Sequence, residues 1–123
     1  MVDAQYSKLY QRAVGIAKEV KQASPTLLGD LANGMGLAGI VIGATRLIDK
    51  ATFKKLKESL SELCALDEKV LYEMQDEAYQ AQKRAKRDGD YSELNIAPYD
   101  LIRAAIKLRP DYRSQGLSQI KSP

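Results

Sequence analysis

Between Leu31 and Thr45 the chain carries no charged residue, and glycine recurs through and around that run at Gly29, Gly34, Gly36, Gly39 and Gly43. Each glycine costs about 1 kcal/mol relative to alanine in a water-exposed helix interior, so a helix here needs compensation from burial. On a helix, Ala32, Gly36, Gly39 and Gly43 fall three or four residues apart and form one smooth face, while Leu37, Ile40, Val41 and Ile42 spread around the rest. A face without side chains lets a second backbone approach closely. Gly39 and Gly43 also have the four-residue spacing that pairs helices in membranes, where van der Waals contact replaces the hydrophobic effect.

Three environments suit such a segment: a protein core or subunit interface, a bilayer, and a glycine-rich loop. The stretch 27–48 would span about 33 Å as a helix, enough for a hydrocarbon core of about 30 Å. Its composition is near balance for insertion, because the large aliphatics are offset by Asp30, Asn33 and Arg46. Lysines flank it on both sides, so charge gives little orientation. The burial reading is the favoured one.

The rest of the chain reads as helix. Tyr6, Leu9, Tyr10, Ala13, Ile16, Ala17 and Val20 recur at helical spacing over 4–23, with Asp3 placed to cap. Ser24-Pro25 marks a boundary, since proline disfavours helix before it and fits the first turn after it. From Ala44 to Arg87 there is neither glycine nor proline. Either a short turn at 49–52 precedes a helix capped by Thr52, or the second helix runs on as a rod. Phe53, Leu56, Leu60 and Leu63 set a seam that Val70, Met74 and Ala81 continue, interrupted by Asp67 and Glu77. Gly89 is placed to end this helix in a left-handed cap. Pro98 opens a last short helix, which Pro110 stops after Leu108.

The expected fold class is therefore all-α: about four helices, near 4–23, 25–49, 52–87 and 98–108, with a glycine-rich apolar second helix and a long third one, packed as a small bundle or helical hairpin without a sheet. Residues 1–110 form one helical domain, and 111–123 a polar, basic tail. Hydrophobic residues at 45% and charged residues at 28% fit a folded globular chain rather than a disordered one.

The chemistry on offer is sparse. The absence of histidine removes the commonest general base and metal ligand. Glu73, Asp76 and Glu77 lie close on one helix, but no second carboxylate helix accompanies them. Gly34 to Gly39 spells Gly-x-Gly-x-x-Gly, yet follows no strand and so does not read as a dinucleotide site. The single Cys64 excludes an intramolecular disulfide and fits a buried thiol in a reducing compartment. The N-terminus lacks the apolar stretch of a secretory signal. No enzyme, cofactor, metal or small-molecule substrate is expected.

What remains is binding. The favoured reading is a non-enzymatic structural subunit that packs through its glycine-rich helix into a larger, membrane-associated or intracellular complex, with a protein partner or a second copy of itself. The alternative is a soluble helical adaptor that binds nucleic acid or protein through Lys83, Arg84, Lys86 and Arg87 and the tail. The net charge of +3 is mild for a dedicated nucleic-acid binder. Tyr91, Tyr99 and Tyr112 beside Arg103, Arg109 and Arg113 form a tyrosine and arginine mixture of the kind found at protein interfaces.

Overall fold

The structure is a computed structural model and describes residues 4–33 and 48–115. These residues form five α-helices and one short 3-10 turn, with no strand among them. Helix α1 spans Ala4–Ala23, α2 Leu27–Ala32, α3 Lys50–Cys64, α4 Glu68–Arg87 and α5 Ala97–Gln115, and the 3-10 turn Glu93–Ile96 leads directly into α5. The all-α expectation is met.

The first helix matches its expected limits, and Ala13, Ala17 and Val20 form its buried stripe. The Ser24-Pro25 boundary is also present: Ser24 N–H bonds back to the Val20 carbonyl at 2.8 Å, and Lys21 Nζ donates to the Pro25 carbonyl at 2.7 Å. Helix α2 starts two residues after Pro25. Its Leu27, Leu28, Leu31 and Ala32 are all fully buried. An unbroken helix over 25–49 does not form, because Asn33 (φ −91°, ψ 9°) is already a turn. Of the stretch 27–48 weighed above as a membrane span, the described residues Leu27, Leu28, Leu31 and Ala32 pack inside the protein. Residues 34–47, with Gly36, Gly39 and Gly43, lie outside the described residues. Among the described residues no helix is long and apolar enough to cross a membrane.

Asp49 settles whether the second helix runs on. It is extended (φ −76°, ψ 171°), and its carboxylate accepts the Thr52 N–H at 2.7 Å, so α3 begins anew at Lys50. The cap is thus Asp49 rather than Thr52, which is buried.

The single helix expected over 52–87 is two. The chain breaks at Ala65-Leu66-Asp67, where Asp67 (φ −60°, ψ 142°) takes the extended conformation of an N-cap without a side-chain hydrogen bond. Packing explains the break. Both α3 and α4 lie against α5. A straight rod would lift one of them away and expose either Phe53, Leu56, Leu60 and Leu63 or Leu71 and Met74, all at 0% exposure. Burying each such side chain contributes about 1.5–3 kcal/mol, whereas an interrupted helical hydrogen bond costs about 1 kcal/mol. Arg109 of α5 then donates its Nε–H to the Leu66 carbonyl at 3.1 Å, which satisfies part of the broken turn.

Helix α4 ends at Gly89 as its sequence implies. Gly89 has φ 86°, its N–H bonds to the Lys86 carbonyl at 3.0 Å, and the Asp90 N–H bonds to the Ala85 carbonyl at 2.8 Å. This pair of bonds is a Schellman cap, which requires a left-handed residue.

The last helix departs most from expectation. It runs to Gln115 with Pro110 inside it, not to Leu108. Arg109 is pinned to Leu66 at the turn before Pro110, and Leu108 is 2% exposed, so tertiary contacts hold the chain where proline removes a donor. Helix α5 packs against each of the other four helices. Its Ala97, Leu101, Ile102, Ala104 and Ala105 are all fully buried, a wider arc than one apolar stripe. Alanines at 97, 104 and 105 let neighbouring helices come close. The shortest helix expected from the sequence is the axis of the described fold.

Candidate functional site

Helices α4 and α5 run antiparallel, and one flank of the pair faces solvent. On α4, Tyr72, Gln75, Tyr79 and Lys83 recur every three or four residues, beside the buried stripe of Leu71, Met74 and Ala78. On α5, Tyr99, Arg103, Ile106 and Lys107 do the same beside Leu101, Ile102 and Ala105. Where the two stripes meet, the Tyr79 and Tyr99 rings lie 5.6 Å apart at 43°. Lys83 Nζ sits 5.2 Å from the centre of the Tyr79 ring, and Arg103 Cζ 5.5 Å from that of Tyr99. The result is a row of cation, ring, ring and cation, in which each ring holds a positive charge in place.

Beyond this row lies a shallow cleft lined by Tyr72, Gln75, Arg103, Ile106 and Lys107. Tyr72 is 51% exposed and Tyr79 41%. Arg103 also reaches Asp100 one turn earlier, Nη1 to Oδ1 at 3.8 Å. Asp100 is buried in the first turn of α5, and that burial raises its carboxyl pKa above the ordinary value, while Arg103 and Lys21 pull it back down. Arg103 is thereby held from two sides, by a carboxylate and by a ring.

The structure divides the predicted basic cluster. Lys83, Arg84, Lys86 and Arg87 are all exposed. At 100° per residue, Lys83, Lys86 and Arg87 share the flank that carries Tyr79. Arg84 is turned towards α1, where its charge favours the ionised form of Tyr10. That phenol is nevertheless raised in pKa, first by burial and then by Glu77. Glu73, Asp76 and Glu77 are exposed along α4, and of the three only Asp76 shares the tyrosine flank.

Of the predicted packing face, Ala32 is described and fully buried. Gly36, Gly39 and Gly43 fall outside the described residues. Cys64 is a buried thiol outside any disulfide, and its Sγ donates to the Ala105 carbonyl oxygen at 3.5 Å. A second depression, between α1 and α3, is lined by Lys8, Leu9, Gln11, Arg12, Glu62 and Leu66. The Arg12–Glu62 ion pair lies across it.

Sequence reasoning saw Tyr99 beside Arg103 but missed Tyr79 as their partner. The signal was present in the spacing of Tyr72, Tyr79 and Lys83 along the edge of the α4 core stripe. Comparison with protein-family models, with curated protein sequences and with solved structures found no match to this chain.

Proposed function

We propose that this chain is a non-enzymatic assembly subunit that packs into a larger complex through the glycine-rich segment 34–47. The observation that supports this reading is that both flanks of the segment are fixed in the core. Leu31 and Ala32 are fully buried on one side, and Ile48 is 9% exposed on the other. A folded body thus holds a stretch whose only charged residue is Arg46. Apolar stretches of this kind, when not consumed by their own core, mark association sites.

The test is Gly39→Leu and Gly43→Leu, each followed by sedimentation and thermal melting. Each substitution adds four heavy atoms where backbones would touch. Overpacking should cost about 1–3 kcal/mol, against a helix-propensity gain of about 0.8 kcal/mol. Loss of assembly or a fall in Tm supports the reading. Unchanged or improved stability and association for both variants refutes it.

The second reading, a helical adaptor that uses the basic end of α4, is favoured by a separate observation. Lys83 stands over Tyr79 in a row that continues into α5. That surface and segment 34–47 are separate features of the chain, and one subunit can carry both.

A further inference from the structure

We propose that the tyrosine and cation flank of α4 and α5 docks an acidic peptide segment of a protein partner, with an aliphatic side chain of that segment seated in the cleft between Tyr72 and Ile106. This rests on the adaptor reading and names its partner chemistry.

Charge complementarity is the first argument. Lys83, Lys86, Arg87, Arg103 and Lys107 lie along this flank against two exposed α4 acids, Glu68 and Asp76, while Asp100 is buried beneath Arg103. Preorganisation is the second. Two of the cations rest on rings, so they lose little further side-chain freedom when a carboxylate binds. A guanidinium presents a planar fork that suits a carboxylate. The third argument is the cleft, whose wall is Tyr72 and whose apolar member is Ile106, with Arg103 and Lys107 at its rim. An aliphatic anchor flanked by carboxylates fits that pattern, and tyrosine with arginine is the pairing that dominates protein hot spots. From Tyr72 to Lys83 along α4 is about 16 Å, the reach of about five extended residues.

The same surface suits single-stranded nucleic acid less well. Base stacking needs open ring faces, and Tyr79 and Tyr99 each have a cation over the ring and the other ring alongside.

The test uses the full chain and a fluorescein-labelled peptide, Glu-Asp-Glu-Leu-Ile-Glu-Asp-Glu, followed by anisotropy. Saturable binding below about 1 mM is expected, weakened about tenfold or more by Arg103→Gln, by Lys107→Gln and by Tyr72→Ala. Lys54→Gln on the exposed side of α3 removes the same charge elsewhere and should leave affinity within about twofold. Replacing Leu-Ile in the peptide by Ser-Ser should weaken binding, and amide shifts in an NMR titration should centre on Tyr72, Ile106 and Lys107. Circular dichroism and Tm establish that each variant is folded.

The proposal is overturned if no binding is seen to about 1 mM, or if Lys54→Gln matters as much as Lys107→Gln. It is equally overturned if a twenty-residue oligothymidylate binds more tightly and displaces the peptide, an outcome that would leave the adaptor reading standing with a different partner. Gly39→Leu and Gly43→Leu should leave peptide affinity unchanged, which separates this surface from segment 34–47.

Discussion

If α5 is the axis of the fold, Leu101→Ala should be among the most damaging truncations in the chain. Leu101 has 0% exposure, and α5 contacts every other helix among the described residues. The substitution removes three carbon atoms, worth about 2.4 kcal/mol at about 0.8 kcal/mol each. A surrounding set of helices anchored from several sides collapses poorly into the space, so a cavity term adds to this and brings the total to about 3–5 kcal/mol. Against a typical stability of about 5–15 kcal/mol this is a large fraction, and it corresponds to a Tm decrease of about 10–20 °C for a chain of this size. Urea unfolding followed by circular dichroism measures it directly, with the slope against urea unchanged if the variant still unfolds in one step. A loss below about 1 kcal/mol would refute the central placement of α5.

Two further outcomes follow from the caps and the buried acid. Gly89→Ala should destabilise by about 1 kcal/mol, because φ of 86° puts a Cβ in the left-handed region, and Gly89→Asn should cost less, as read by urea midpoints. Asp49 and Asp100 should respond to pH in opposite senses. The Thr52 N–H lowers the pKa of Asp49, so its contribution is present above the unfolded value and lost as pH falls through the folded one; the Tm deficit of Asp49→Ala should shrink in acid. Burial raises that of Asp100, so its contribution is present below the unfolded value and lost as pH rises through the folded one; Asp100→Asn should compare more favourably with the parent at pH 7 than at pH 3.

Local chemistry was legible wherever one residue type alone could serve. Gly89 ends α4 because no other residue takes φ of 86° so readily, and Ser24-Pro25 separates α1 from α2 because proline acts on its own neighbours. The break at Asp67 was not legible in the same way. It has no glycine, no proline and no side-chain cap bond, and it exists because Phe53 to Leu63 and Leu71 to Ala78 both gain by lying on α5. Pro110 misled for the complementary reason: its local rule is sound, but Arg109 and Leu108 are held by α3–α4 loop and core contacts that no window of sequence contains. Tertiary context outweighs propensity in both cases. The tyrosine row joins residues twenty apart, Tyr79 and Tyr99, and spacing within each helix could place them on the flanks but not opposite each other.

Asp100 ties the surface to the core. A carboxylate buried in the first turn of α5 is disfavoured by desolvation, although the helix N-terminus and two nearby cations offset part of that. An asparagine or serine would hold the same helical turn without a buried charge. What the carboxylate adds is its position 3.8 Å from Arg103, on the side away from the solvent that Arg103 faces. Arg103 is then fixed between that oxygen and the Tyr99 ring, and Tyr99 in turn lies against Tyr79 and Lys83. A chain under selection for stability alone has no need of this arrangement. The proposed docking surface supplies one, because an Arg103 already held in place loses less side-chain freedom when a carboxylate binds.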